Sequence, residues 1–445
     1  MRGVLAALGL VVIALGLAGT AKAEPAAVRC GKLLDVRSGK MLTDQVIAFD
    51  DETGLITAVG PVDTVRIPPS SGALNSQEKR PLAGVALLNL TAFTCLPGLI
   101  DMHTHLTVDP SMSGYAGLGV SVPRETLTGV KNARATLLAG FTTVRNVGAG
   151  SFTDIALRDA INAGDVEGPR MRASGPPLGI TGGHCDNNLL PYEFHFKDQG
   201  VADGPWAVRT KVRENVKYGA DVIKVCASGG VLSKGDQPGT PQYTFEELQA
   251  IAEEAHKLGR KVAAHAHGTQ SIKDAIRAGI DSIEHSSLID EEGIALAKQH
   301  GTYLVFDIYN DDYILQEGAK AGMLAESIEK EKKIGRLQRE NFKKAFQAGA
   351  KIAFGTDSGV YPHGDNARQF AKMTEWGMQP IDAIRAATVN AADLLGWEDK
   401  VGAIELGHYA DVIAVSGDPL ADVKTLESVK FVMKQGKVFK NEAAR

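Results

Sequence analysis

The chain has 445 residues, of which 44% are hydrophobic and 23% charged, with a formal net charge of -5 at pH 7. That length exceeds one average domain and suits a large barrel with a smaller companion. The ordinary composition excludes a disordered or fibrous chain, and the slightly acidic balance gives no reason to expect nucleic acid as a partner.

The first 23 residues read as a secretory signal. Arg2 gives a positive start, residues 4–19 are apolar, and Ala21-Lys22-Ala23 has the small-x-small form of a cleavage site. The run is short for a bilayer span, which needs about 20 apolar residues, and no other stretch qualifies. The expectation is an exported protein, periplasmic or secreted, with its mature chain starting near Glu24 and no membrane attachment once the signal is gone. Export permits disulfides. Cys30 and Cys95 fall in the N-terminal strand region, while Cys185 and Cys226 fall near the ends of successive central strands. Pairing within each set is suggested, although four cysteines allow three pairings and buried thiols are the alternative.

Residues 24–96 read as the first part of a small β domain, with strands at 28–36, 45–49, 55–59 and 85–90 and a loop at 60–83. From Pro97 to residue 396 the rhythm changes to amphipathic helix, glycine, then short apolar strand. Gly140, Gly219, Gly259, Gly279, Gly301 and Gly349 stand where helices should stop. Eight strands follow this pattern: 99–105, 142–147, 170–174, 221–227, 261–266, 282–285, 302–308 and 351–357. Alternation of this kind predicts a parallel sheet and, at eight units, a (β/α)8 TIM barrel. A doubly wound open sheet is the structural alternative, but no Gly-x-Gly-x-x-Gly follows a strand to mark a dinucleotide site. The Lys- and Glu-rich stretch 317–344 reads as a solvated outer helix, with a lid over the mouth as the alternative. Residues 397–445 return to β character, with strands at 410–415, 429–433 and 437–440. The two ends are expected to form one composite β-sandwich domain.

Active sites of such barrels lie at the C-terminal ends of the strands. The first strand ends in Leu-Pro-Gly-Leu-Ile-Asp-Met-His-Thr-His-Leu, residues 96–106. His103 and His105, two apart on a strand, face one side and can share a metal ion. The fourth strand carries Lys224, the fifth His265 and His267, the sixth His285, and the eighth Asp357. Lys224 interrupts an apolar strand, where an unpaired ammonium is costly. An ion pair would explain it; so would a lowered pKa that frees the amine to capture carbon dioxide as a carbamate, whose two oxygens can bridge two cations.

His103-Thr104-His105, Lys224, His265, His285 and Asp357 at those strand ends resemble the amidohydrolase superfamily, and the tail at 402–411 fits the same pattern. The resemblance implies two divalent metal ions, usually zinc. His103, His105 and Asp357 would hold one, His265 and His285 the other, with Lys224, carboxylated by CO2, between them. It implies hydrolysis of an amide-like C–N bond by a metal-activated hydroxide, with Asp357 as the proton shuttle. Four stretches narrow the match: 181–184, 229–233, 241–243 and 361–366. They look like the exported prolidase and carboxypeptidase-like branch, similar to ochratoxin-hydrolysing amidohydrolases and loosely grouped with imidazolonepropionases. The expected substrate is a dipeptide or N-acyl amino acid with a free C-terminal carboxylate. A cyclic amidase or lactonase on the same scaffold is the enzymatic rival, and a non-catalytic binding protein is the rival from another class.

His184, Tyr243, His267 and His363 are the candidate substrate-binding residues. Arg145 could clamp a carboxylate or pair structurally inside the barrel. Asp236 or Asp307 could select Lys or Arg, and an aromatic pocket around residues 306–309 could select apolar side chains. The resemblance further implies a homo-oligomer, with an octamer as one form.

Overall fold

The computed structural model describes residues 26–66 and 86–442; the expected signal segment lies outside them. No described helix is long and apolar enough to cross a membrane. The strands are β1 (Ala26–Asp35), β2 (Lys40–Phe49), β3 (Ile56–Pro61), β4 (Ala86–Pro97), β5 (Leu99–Thr104), β6 (Phe141–Asn146), β7 (Arg170–Ala173), β8 (Val222–Cys226), β9 (Lys261–Ala266), β10 (Ser282–His285), β11 (Tyr303–Val305), β12 (Val412–Val415), β13 (Phe431–Lys434) and β14 (Lys437–Asn441).

Both chain ends share a seven-stranded sheet in the order β14-β13-β12-β4-β1-β2-β3. β4 is its hinge: it runs parallel to β1 on one side and antiparallel to β12 on the other, with Pro97 opposite Val412. Cys30 on β1 and Cys95 on β4 form a disulfide, their Cα atoms 5.9 Å apart. β4 is longer than expected from sequence, because its last residues, Thr94 to Pro97, are buried and pair with β12. Only Gly98 separates it from β5.

The remaining strands form two parallel sheets, β5-β6-β7 and β8-β9-β10-β11. Each strand is followed by helical structure. The helix Phe245–Lys257 shows why: Thr244 and Glu247 make a reciprocal capping box, and Leu248, Ile251 and Ala255 bury one stripe. All six helix-terminating glycines named above have positive φ, as a left-handed cap requires. The strands are buried on both faces and read as apolar runs, so a polar side chain among them stands out. Isolated parallel bridges tie Leu178 to Val225, Leu304 to Ile352 and Thr104 to Ser358.

The segment 351–357 departs from expectation. It makes single bridges rather than a ladder, because much of its backbone is bonded elsewhere. Asn390 donates to the Ile352 carbonyl at 3.0 Å, Gln369 donates to the Gly355 carbonyl, and the Phe354 N–H donates to Ala386 at 3.0 Å.

The charged stretch also differs from the solvated helix expected. Most of it lies in the helix Ala325–Gln347, which follows the helix Asn310–Glu317 and buries Ser327, Lys330, Glu331, Ile334, Gln338, Arg339 and Phe342. One face of it covers the ends of the parallel strands.

Candidate functional site

A cavity of about 280 Å³ opens at the C-terminal ends of the parallel strands. His103, His105, Lys224, His265, His267, His285 and Asp357 all line it, as does His184. Neighbouring imidazole rings pack 4.5 Å apart for His265 and His285, 4.6 Å for His267 and His285, and 5.0 Å for His103 and His285.

Two groups of side chains could each hold a cation: His103, His105 and Asp357, and His265, His267 and His285. Within each, the donor atoms lie within 4.8 Å of one another. A third set, His285, Asp307 and Asp357, overlaps both.

The surrounding contacts aim these donors. His105 Nδ1 lies 3.1 Å from the Gly148 carbonyl, and its Nε2 lies 3.1 Å from Asp357 Oδ1. His285 Nδ1 is paired with Asp307 Oδ2 at 3.0 Å, and Asp307 is itself held by Gln338 and Asn310 at 2.6 Å each. His267 Nδ1 meets Ser287 Oγ at 2.7 Å. A histidine tied at one nitrogen presents the other in a fixed direction. His285 and Asp357 both have left-handed backbone, φ 67° and 54°, a conformation that non-glycine residues keep where the surroundings enforce it.

Three observations show that cations fit here. His103 is fully enclosed; its Nδ1 lies 3.0 Å from Glu284 Oε2 and its Nε2 3.2 Å from Asp357 Oδ1, yet neither approach has hydrogen-bond geometry. Both ring nitrogens are thus buried against carboxylates without a well-formed hydrogen bond, a costly state that metal ligation at one of them relieves. Lys224 is only 3% exposed and its side-chain amine makes no hydrogen bond or ion pair with a described residue; burial pulls its pKa down to about 8, against the pull of Glu284 and Asp357. Burial also holds His265 and His267 well below the usual histidine range, assisted by neighbouring histidines. Asp357 is pushed up by burial but held well below the carboxylate range by His103 and His105. Imidazoles, with His105, His265 and His267 shifted toward the neutral form, and an ionised carboxylate are the donor chemistry divalent cations take.

The other expected residues divide. His184 stacks on His265 at 4.0 Å and is anchored through Nδ1 to Ser233 Oγ at 2.8 Å. Gly230 makes room for it: a Cβ there would collide with the ring. Tyr243 does not reach the cavity; it is buried and donates to the Ala202 carbonyl at 2.9 Å. His363 is also off the lining, with Nε2 3.2 Å from the Val108 carbonyl. Phe306 packs on Phe342 and Tyr309 on Tyr361, so the described lining holds no phenylalanine, tyrosine or tryptophan. Asp236 is paired with Lys330 at 2.9 Å and Asp307 with the groups named above, so neither is left to select a basic side chain.

Arg145 belongs to the frame. It lies 2.7 Å from Glu284, donates to Ser282 and to the Met102 carbonyl, and is buried with Glu284. Replacing Arg145 with Met strands the Glu284 carboxylate beside His103. The expected loss is about 3–5 kcal/mol of stability, read as a lower denaturation midpoint. The second disulfide joins Cys185, next to His184, to Cys226, two residues beyond Lys224, with Cα atoms 6.0 Å apart. The double variant C185S/C226S is expected to unfold more easily by about 2–4 kcal/mol, again by denaturant titration.

Residues of the Ala325–Gln347 helix were not foreseen at the site. Ser327, Glu331, Ile334 and Gln338 all line the cavity; their spacing of four, three and four is the one signal that puts them on a single face.

Residues 94–439 match the model of the Amidohydrolase family. Ochratoxinase of Aspergillus niger is 36% identical over 368 residues, 78% of this chain and 75% of that protein. A solved Xaa-Pro dipeptidase with methionine bound in its active site is 36% identical, with a TM-score of 0.83 over 94% of this chain and 100% of the other. A solved prolidase complexed with N-methylphosphonate-L-proline is 30% identical, with a TM-score of 0.81 over 94% and 100%.

Proposed function

The chain belongs to the amidohydrolase family and is a hydrolase acting on C–N bonds, and from that premise we propose a binuclear metal-dependent enzyme. Its substrates are dipeptides or N-acyl amino acids with a free C-terminal carboxylate and an apolar leaving residue. The observation that carries the reading is the convergence of His103, His105, Lys224, His265, His285 and Asp357 on one cavity. The parallel strands, with segment 351–357 between β11 and β5, are read as a closed (β/α)8 barrel.

His103, His105 and Asp357 would hold one divalent cation, and His265 and His285 the other, with a carboxylated Lys224 between them. Bound there, the cations would lower the pKa of a shared water and polarise the scissile carbonyl. The chain's own groups do the rest. Asp357 accepts the attacking water's proton on its carboxylate and returns it to the leaving amine nitrogen. His184, held through Nδ1, keeps Nε2 for the substrate, and His267 flanks it as a partner for the carboxylate. Ser233 donates to Asp236 at 2.6 Å and so keeps the anchor of His184 rigid.

The leaving residue faces aliphatic and thioether surface, including Val108, Met112, Val231, Leu232, Ile314 and Met323. Burial of an apolar side chain against it stabilises the complex by about 1.5–3 kcal/mol, and Asp236 and Asp307 are committed to Lys330, Gln338 and Asn310 rather than free for a Lys or Arg. Methionine in the active site of the solved Xaa-Pro dipeptidase supports this preference. The two disulfides support export to an oxidising compartment, and the homo-oligomer stays part of the proposal.

The test is mass-spectrometric detection of products after zinc-loaded enzyme meets a mixed panel. The panel holds Xaa-Pro, Xaa-Met, Xaa-Phe, Xaa-Lys and Xaa-Arg dipeptides, N-acyl amino acids, hydantoins, lactams and lactones. Release of apolar C-terminal amino acids supports the proposal. Ring opening with every dipeptide and acyl amino acid intact replaces it with the cyclic amidase or lactonase.

A further inference from the structure

Glu331 projects from the inner face of the helix Ala325–Gln347, is 5% exposed and lines the cavity. No hydrogen bond or ion pair ties it to another described residue. The acids around it are all satisfied. Asp311 is held by Arg339 at 2.9 Å, Asp307 by Gln338 and Asn310, and Asp236 by Lys330. The cations nearby are equally committed. Arg339 spans Asp311 and Asp312, and Lys330 also donates to the carbonyls of Gly230 and Ser233.

Gly335, one turn along the same helix, leaves a gap into which two carboxylates converge. A Cβ there would lie 2.6 Å from Glu331 Oε1 and would collide with Asp311 Oδ1. Burial, joined by Asp311 and Asp307, pushes the Glu331 carboxyl up to about 8. A buried acid among acids is costly unless a proton or a cation arrives. Every cationic side chain named around it is engaged, so a proton serves in the free protein and a cation entering the cavity with the substrate can take its place. Glu331 and Asp357 line the same cavity, and the α-ammonium of a dipeptide lies two bonds from the carbonyl carbon under attack.

We infer that Glu331 receives the free α-ammonium of the substrate's N-terminal residue, so the enzyme takes unblocked dipeptides in preference to N-acyl amino acids. This rests on the amide-hydrolase reading above and decides between the two substrate classes it allows. Once paired, the carboxylate is ionised and the ammonium is held by a charge-assisted hydrogen bond.

The experiment compares Gly-Met with N-acetyl-Gly-Met on the zinc-loaded full chain, a pair that differs only at the amine. The wild type is expected to favour the free amine in kcat/KM by about tenfold or more. In Glu331→Gln the preference should shrink by about tenfold or more, chiefly through KM for the free amine. Both substrates meet the same folded molecules, so a partly unfolded preparation cancels from the ratio. Glu331→Ala should move the ratio the same way. An unchanged ratio in both variants, a wild type that prefers the acetylated substrate, or loss of both activities in both variants overturns the inference. Wild-type enzyme that cleaves neither substrate but opens rings would instead remove the amide-hydrolase reading beneath it.

Discussion

Asp357→Asn is expected to lower kcat by about 10³-fold or more while the protein stays folded. Asp357 Oδ1 stands 3.2 Å from His103 Nε2 and 3.1 Å from His105 Nε2, and Oδ2 accepts from Asn310 at 3.3 Å. The carboxamide keeps the shape but cannot take up a proton, and half of it turns from acceptor to donor. Asparagine is also the substitution the backbone tolerates, because φ is 54° here and Asn enters the left-handed region more readily than most residues. Alanine would add backbone strain to the lost charge and blur the result. The measurement is steady-state turnover of a hydrolysed dipeptide beside equilibrium binding of the same dipeptide. Retained dipeptide binding and two divalent ions per chain by elemental analysis, with lost turnover, assign Asp357 to the proton path. Turnover within a few-fold of wild type would take it off that path.

Lys224→Ala carries the other large effect. An enclosed amine without a partner has no structural reason to be lysine, since alanine or methionine would sit in β8 at lower cost. Its place in the cavity that both histidine groups line makes sense if it gains a carboxylate. The variant is expected to retain fewer than two divalent ions per chain by elemental analysis and to lose about 10³-fold or more in kcat. Added acetate or propionate should restore part of both, because a small carboxylate fits the space vacated by the side chain. Native mass spectrometry of the wild type should find the mass of one bound CO2, absent from the variant. A variant that keeps two ions and full turnover would end the role given to Lys224.

Much of the frame could be read from the residues in order. The change of period at Pro97, the glycines that stop helices, and the β character of both ends correspond to the observed sheets. His103 and His105 were legible because strand geometry alone puts alternate residues on one face. The inner face of Ala325–Gln347 was not. Lys330, Glu331, Gln338 and Arg339 look like a solvent-facing pattern. Their burial depends on partners elsewhere in the chain, such as Asp236 for Lys330 and Asp307 for Gln338. Tyr243 and His363 were drawn toward the site by their loops, yet both side chains are directed at backbone carbonyls, of Ala202 and Val108. Local sequence does not say which way a loop side chain turns. For segment 351–357 the apolar run was real. The ladder was interrupted by Gln369 and Asn390, side chains from helices that follow it.

The position of β4 has a consequence for how the chain is made. β4 is complete once residue 97 leaves the ribosome, but its partner β12 begins at Val412. Throughout synthesis of residues 98–411 that edge of β4 has no permanent neighbour. An open strand edge is a template for other chains. A nonsense mutation shortly before residue 412 would spare every residue of the candidate site and still leave this edge bare. Such truncations are expected to be lost as aggregates or to proteolysis, so the last strands act as the closing stitch on a seam opened by the first.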